Sequence, residues 1–310
     1  MRCVSCKTGE IPNKFRTGCE SLPIRTISKN WTIVVKCFAA LGLFLTVVVF
    51  ITFIIFNNTP LVKASGRELT YTLLTGLTLC YLFSLCLMLV PTTLVCSLQR
   101  IGIGFCFSVC FSSLLIKTNR IARIFKKSER STKPPNFINP ASQMFILTVF
   151  LTLEVGLVSI GLIKWPPKPV LDFPTNTDVL LICNVKDYDF IVSLSYNVLL
   201  IILCTLFAIR TRKTPANFNE ARYIGFAMYT TCLIWIAFVP VHFGINKEYA
   251  TIILAITTIL NASTLLLCIF GPKLFILLFR PTRNVRSRSL SRNTWRSVDP
   301  SSTRKYQRIE

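Results

Sequence analysis

The sequence predicts an all-α membrane protein: a seven-transmembrane helix bundle with a short extracellular, disulfide-containing N-terminal segment. Three observations carry that prediction. Seven long apolar runs are separated by polar turns, 52% of the residues are hydrophobic with a mean hydropathy of +0.57, and lysine and arginine crowd into alternate connections. A bilayer core of about 30 Å is crossed by about 17–25 mostly apolar helical residues. The runs are continuous rather than alternating, which selects helices over barrel strands of about 10 residues.

In chain order the runs extend from Ile33 to Phe56, Leu69 to Val90, Ile101 to Ile116, Gln143 to Ile163, Phe190 to Ile209, Tyr223 to Phe243 and Thr251 to Phe270. The third is the shortest and reaches spanning length only with its flank through Asn119. The chain therefore divides into an N-terminal segment 1–30, a seven-span domain 31–280 and a basic tail 281–310, the last read as a disordered arm.

Charge sets the expected orientation. Most of the 35 lysines and arginines lie in the first, third and fifth connections and in the tail. The other connections carry few, with Arg100 at the entry to the third span. Basic residues gather on the cytoplasmic side, so the N-terminus is expected outside and the C-terminus inside. The net charge of +22 then reflects topology. No stacking platform or groove-reading motif accompanies it, so nucleic acid is not an expected partner. The tail string RNVRSRSLSRNTWRS suits anionic membrane lipid or a cytosolic protein.

Cysteines mark the outer side. Cys3, Cys6 and Cys19 fall in one short polar segment, where disulfides persist if that side is oxidising. Their odd number indicates a cysteine-rich module that begins upstream. Cys96, before the third span, and Cys183, before the fifth, also face outward; a bridge between them would tie the long second outer loop to the top of the third helix. Most other cysteines lie within spans as small apolar filler. No metal or cofactor is expected: the one histidine, His242, is remote from the clustered thiols.

Several strings resemble a known family. NNTPLVKASGREL after the first span, LLIKTNRIARIF closing the third, NPASQ opening the fourth and TRKTPANFNEARYIGFAMYTTCLIWIAFVP leading through the sixth are similar to the transmembrane domain of class C G-protein-coupled receptors, in particular the metabotropic glutamate receptors. The similarity runs from the cysteine-rich segment to about Arg286. NNTPLVKASGREL, CNVKD and SLSYNVLLIILCTLFAIRTRK resemble the Gi/o-coupled group; LQRIGIG, PANFNEA and RNVRS are closer to the Gq-coupled group. The balance leans to Gi/o, which inhibits adenylate cyclase.

The resemblance implies roles for particular residues. Cys6 and Cys19 match the last disulfide of the family's cysteine-rich domain, leaving Cys3 to a partner upstream. Lys117 and Glu220 match a cross-bundle ion pair that holds the inactive state, with Ser65, Arg67 and Arg120 as neighbours at the G-protein face. Phe107, Phe111, Asn197, Thr231, Trp235, Phe238, Thr258, Asn261 and Ala262 match an allosteric pocket for small apolar modulators. Two of these depart from the family: Phe111 stands where tyrosine is common, and Asn261 where a small hydroxyl residue is common. The resemblance further implies a heterotrimeric G protein as partner, a homodimer, and a plasma-membrane location. It places the glutamate-binding domain outside this chain, so glutamate is not expected to bind here.

Glu154 is an intramembrane carboxylate where the family tends to have glutamine. Such residues are costly in a bilayer and often functional; with no cation within a turn, the expected role here is a protonated mimic of glutamine's hydrogen bonds. A transporter would want broken helices, several buried charges or an internal repeat. A membrane enzyme would want a nucleophile or metal motif such as GxSxG or HExxH. The chain has neither set.

Overall fold

The computed structural model describes residues 10–13, 15, 17–22, 24–25, 28–128, 139–175, 178–184, 187–211 and 219–279. The tail 281–310, Cys3 and Cys6 lie outside the described residues.

Among the described residues, seven helical segments are long and apolar enough to cross a membrane. They are built from α1 (Lys29–Ile55), α3 (Arg67–Leu87), α4 (Thr93–Ser128), α5 (Pro140–Lys164), α6 (Asp187–Thr211), α7 (Asn219–Gly244) and α8 (Lys247–Leu265), which continues through a π-helical turn, Leu266–Phe270, into α9 (Gly271–Phe279). A short α2 (Pro60–Ala64) precedes α3. Proline opens α2 and α5 at their first turns, where its missing N–H leaves no helical bond unmade.

The third span differs from the sequence expectation. It is not short: α4 runs for 36 residues. It is also the most enclosed span, with 83% of its most apolar window buried, against 28% for α1 and 17% for α5. A helix surrounded by other helices faces protein and tolerates polar side chains, which lowers its hydropathy. Gln99, Arg100, Ser108, Ser112, Ser113, Lys117 and Thr118 are all buried on it. Arg100 donates to the carbonyl of Trp165, 3.0 Å away at the end of α5, where the helix dipole favours a cation.

Close helix approach uses small residues. A Cβ on Gly42 of α1 would lie 2.1 Å from the Tyr81 ring of α3, so glycine lets α1 seat against that ring. Tyr81 itself is fully buried and shares a 2.9 Å hydrogen bond with Ser263 of α8. Hydroxyls facing apolar surroundings are satisfied by carbonyls one turn back, as Thr46 is by Gly42 and Thr118 by Leu114, which removes unpaired donors from the bilayer core.

The expected all-α fold acquires a small β cap at one end. β1 (Glu10–Pro12) pairs with β2 (Cys19–Ser21); β4 (Pro169–Thr175) and β5 (Asp178–Cys183) form an antiparallel hairpin, and β3 (Ile24–Arg25) adds to β5 in parallel. Cys96 and Cys183 are bonded, closing an 87-residue separation and anchoring the hairpin to α4. Cys19 is also disulfide-bonded. Cys183→Ser should lower the thermal unfolding midpoint of the detergent-solubilised chain, by the equivalent of about 2–4 kcal/mol. An unchanged midpoint would mean that the bridge contributes nothing to the bundle.

Candidate functional site

At the end opposite the hairpin, three elements converge on one carboxylate. Lys117 Nζ of α4 lies 2.7 Å from Glu220 Oε1 of α7, and Lys273 Nζ of α9 lies 2.6 Å from the same oxygen. Ser65, which caps α2, donates to Glu220 Oε1 at 3.1 Å and accepts from both lysines, at 3.2 Å from Lys117. Thr70 accepts from Lys117 at 3.2 Å. The two lysines are 3% and 7% exposed, so these charges are largely removed from water.

Local sequence explains the convergence. Gly66 adopts φ +75° between α2 and α3, a left-handed turn that glycine makes without a Cβ penalty, and this turn presents Ser65 inward. Arg120 Nη1 lies 2.6 Å from where a Gly66 Cβ would stand, so its guanidinium covers the turn rather than joining Glu220. Arg67 makes no described contact with Glu220 or either lysine. Lys273, which the sequence reading did not single out, completes the group. The available signal was helical continuity: the seventh span does not stop at Phe270 but continues to Phe279.

Removing one partner from a buried ion pair costs about 3–5 kcal/mol, more than the 0–1 kcal/mol of a solvated pair. One carboxylate held by two ammonium groups resists loss of either lysine better than loss of Glu220. The charge balance is also uneven, with two cations to one anion.

The residues singled out for a modulator pocket form a compact aromatic layer deeper in the bundle. Phe107 meets Trp235 edge-on at 5.0 Å and stacks on Phe111 at 6.0 Å; Trp235 meets Phe238 edge-on at 5.4 Å. Thr231 donates to Asn261 Oδ1 at 3.0 Å, linking α7 to α8. Asn197 donates to the carbonyls of Gly104 and Ser193 at 3.3 and 3.1 Å. Thr258 bonds back to Leu254, and Ala262 is buried beside Asn261. All nine are buried. A cavity of about 200 Å³ lies nearer the hairpin, lined by Gln99, Ile103, Asp172, Phe190, His242 and Lys247 among others, and by none of the nine. Phe190 and His242 stack at 4.6 Å, and both pack on Phe238, so this pair separates the cavity from the aromatic layer.

Glu154 is fully buried on α5 and accepts from Ser193 of α6 at 2.8 Å through Oε1. Its Oε2 has no hydrogen-bond partner among the described residues. No group of histidine, cysteine and acidic residues able to hold a metal occurs among the described residues.

Seven spans, a disulfide from the third span to the hairpin between the fourth and fifth, and a buried ionic group at the opposite end define a seven-helix receptor scaffold. Residues 25–273 match the family described as the 7 transmembrane sweet-taste receptor of 3 GCPR, and the chain belongs to this class C receptor family, on its metabotropic glutamate branch. It is 41% identical over 298 residues to a metabotropic glutamate receptor of Drosophila melanogaster, covering 95% of this chain and 30% of that receptor. It is 40% identical over 307 residues to metabotropic glutamate receptor 8 of Mus musculus and of Rattus norvegicus, covering 94% of this chain and 34% of each. The chain thus spans about a third of the length of these relatives.

Proposed function

We propose that this chain is the signal-transmitting domain of a plasma-membrane receptor that activates heterotrimeric G proteins, with Gi/o and inhibition of adenylate cyclase as the output. The observation that carries the reading is the Lys117–Glu220–Lys273 group, which joins α4, α7 and α9 at the basic end. Positive charge favours placing that end in the cytoplasm, with the hairpin outside. A contact made by three separate helices can be broken by a rigid-body shift of one of them, which is the form a two-state switch takes. In this reading the group holds the resting state and its opening admits the G protein. The receptor acts as a homodimer, and the lipid bilayer covers the exposed faces of α1 and α5.

Expression in cells lacking endogenous glutamate receptors tests the reading. Basal inhibition of cyclic AMP formation, abolished by blocking Gi/o, is the expected result; a calcium response without cyclic AMP inhibition would assign the Gq group, and neither response would reject G-protein activation. Glutamate should leave this chain silent, since the resemblance puts the agonist site in a domain beyond it. An apolar modulator acts only through differential affinity for the two states. Trp235→Ala, which removes the centre of the aromatic layer, should blunt such a modulator at unchanged surface delivery. An undiminished response in that variant would place the modulator elsewhere.

A further inference from the structure

Beside the ionic group, the outer surface of the bundle opens into a crevice of about 580 Å³. Arg222, Tyr223 and Phe226 of α7 form one wall; Cys268 of the π-helical turn and Pro272 of α9 form the other. Phe226 is 63% exposed and Tyr223 38%, so the crevice faces away from the bundle axis, onto surface that a membrane-spanning chain presents to lipid. Arg222 lies in the first turn of α7, at the boundary where apolar sequence begins. π-helical turns are rare and concentrate at functional sites.

We propose that this crevice binds an anionic phospholipid of the cytoplasmic leaflet, its phosphate on the Arg222 guanidinium and the start of an acyl chain against Tyr223, Phe226 and Cys268. Assignment to that leaflet rests on the orientation proposed above. A guanidinium matches a phosphate with two parallel hydrogen bonds, and an arginine at the end of a span reaches the headgroup level. The remaining lining residues are uncharged and largely apolar, which suits one headgroup with an attached chain better than a soluble anion. Basic residues at the membrane surface are attracted to an anionic leaflet. A second copy of this chain fits less well: a two-fold contact through the crevice would set Arg222 against Arg222, since such an interface repeats the same patch on both partners.

The crevice shares its helices with the switch. Glu220 lies two residues before Arg222 on α7, and Lys273 directly follows Pro272 on α9, so the two walls belong to the same helices that carry the two halves of the ion pair.

The test uses the full chain in nanodiscs of phosphatidylcholine with phosphatidylserine added, followed by native mass spectrometry of the released protein. Both leaflets then have the same composition, so the result does not depend on orientation. Wild type should retain phosphatidylserine several-fold over phosphatidylcholine. Arg222→Gln should lose that preference and Arg222→Lys should keep part of it. Cys268→Trp, which fills the crevice without changing charge, should lose the retained lipid, with helix content checked by circular dichroism in every variant. Equal retention of both lipids by wild type, or undiminished phosphatidylserine on Arg222→Gln, would overturn the proposal. So would a Cys268→Trp chain that keeps its lipid but changes its oligomeric state, which would give the crevice to a second copy.

Discussion

Glu220→Ala should raise basal signalling more than either lysine substitution. Removing the carboxylate leaves Lys117 and Lys273 facing each other with no anion, because both nitrogens hold the same Oε1 at 2.7 and 2.6 Å. Lys117→Ala leaves the Lys273 contact intact, and Lys273→Ala leaves Lys117. The expected order of basal cyclic AMP inhibition is Glu220→Ala, then the double lysine variant, then either single lysine, then wild type, at matched surface levels. Each 1.4 kcal/mol taken from the resting state is worth about tenfold in the population of the other state. Placing the alanine variants in the opposite order, with Lys117→Ala alone as active as Glu220→Ala, would mean that Lys273 does not share the carboxylate.

The second large effect is expected at Gly104. A Cβ there would stand 1.6 Å from Glu154 Oε1 and 2.2 Å from Ser193 Oγ, so alanine must displace the Glu154–Ser193 hydrogen bond in a region with no exposed side for relief. Overpacking of this kind costs about 1–3 kcal/mol, and a lost buried hydrogen bond adds about 1 kcal/mol. Gly104→Ala should lower the thermal midpoint and surface delivery, and adding Glu154→Ala should recover much of both. Glu154→Gln alone should be close to neutral, since an amide oxygen can accept from Ser193 as the carboxyl does. A double variant no better than Gly104→Ala would show that the Ser193 contact, not Glu154, carries the clash.

The spans were legible because the bilayer imposes a length and a composition that few other environments require. Helix α4 was the exception for a physical reason: enclosed by protein, it carries buried residues such as Gln99, Arg100 and Lys117 that dilute its apolar signal. The β4–β5 hairpin was hidden because its strands hold Pro169 and Pro174 and are fixed by the disulfide and by pairing with β3. Lys117 and Glu220 could be singled out as opposite charges at the ends of apolar runs. Lys273 was not singled out because it lies beyond the apolar run that ends at Phe270, and only the continuation of that helix to Phe279 carries it to Glu220. The cavity lined by Phe190 and His242 depends on how the hairpin folds over the bundle, which residue spacing does not encode.

Guanine-nucleotide exchange on purified heterotrimeric Gi, driven by this chain alone in nanodiscs, tests the central claim most directly. The wild-type chain should accelerate exchange measurably without glutamate, and Glu220→Ala should accelerate it several-fold further. Exchange at the rate of empty nanodiscs for both proteins, each shown to be folded by circular dichroism, would contradict the claim that this bundle is a G-protein switch held by its buried ionic group.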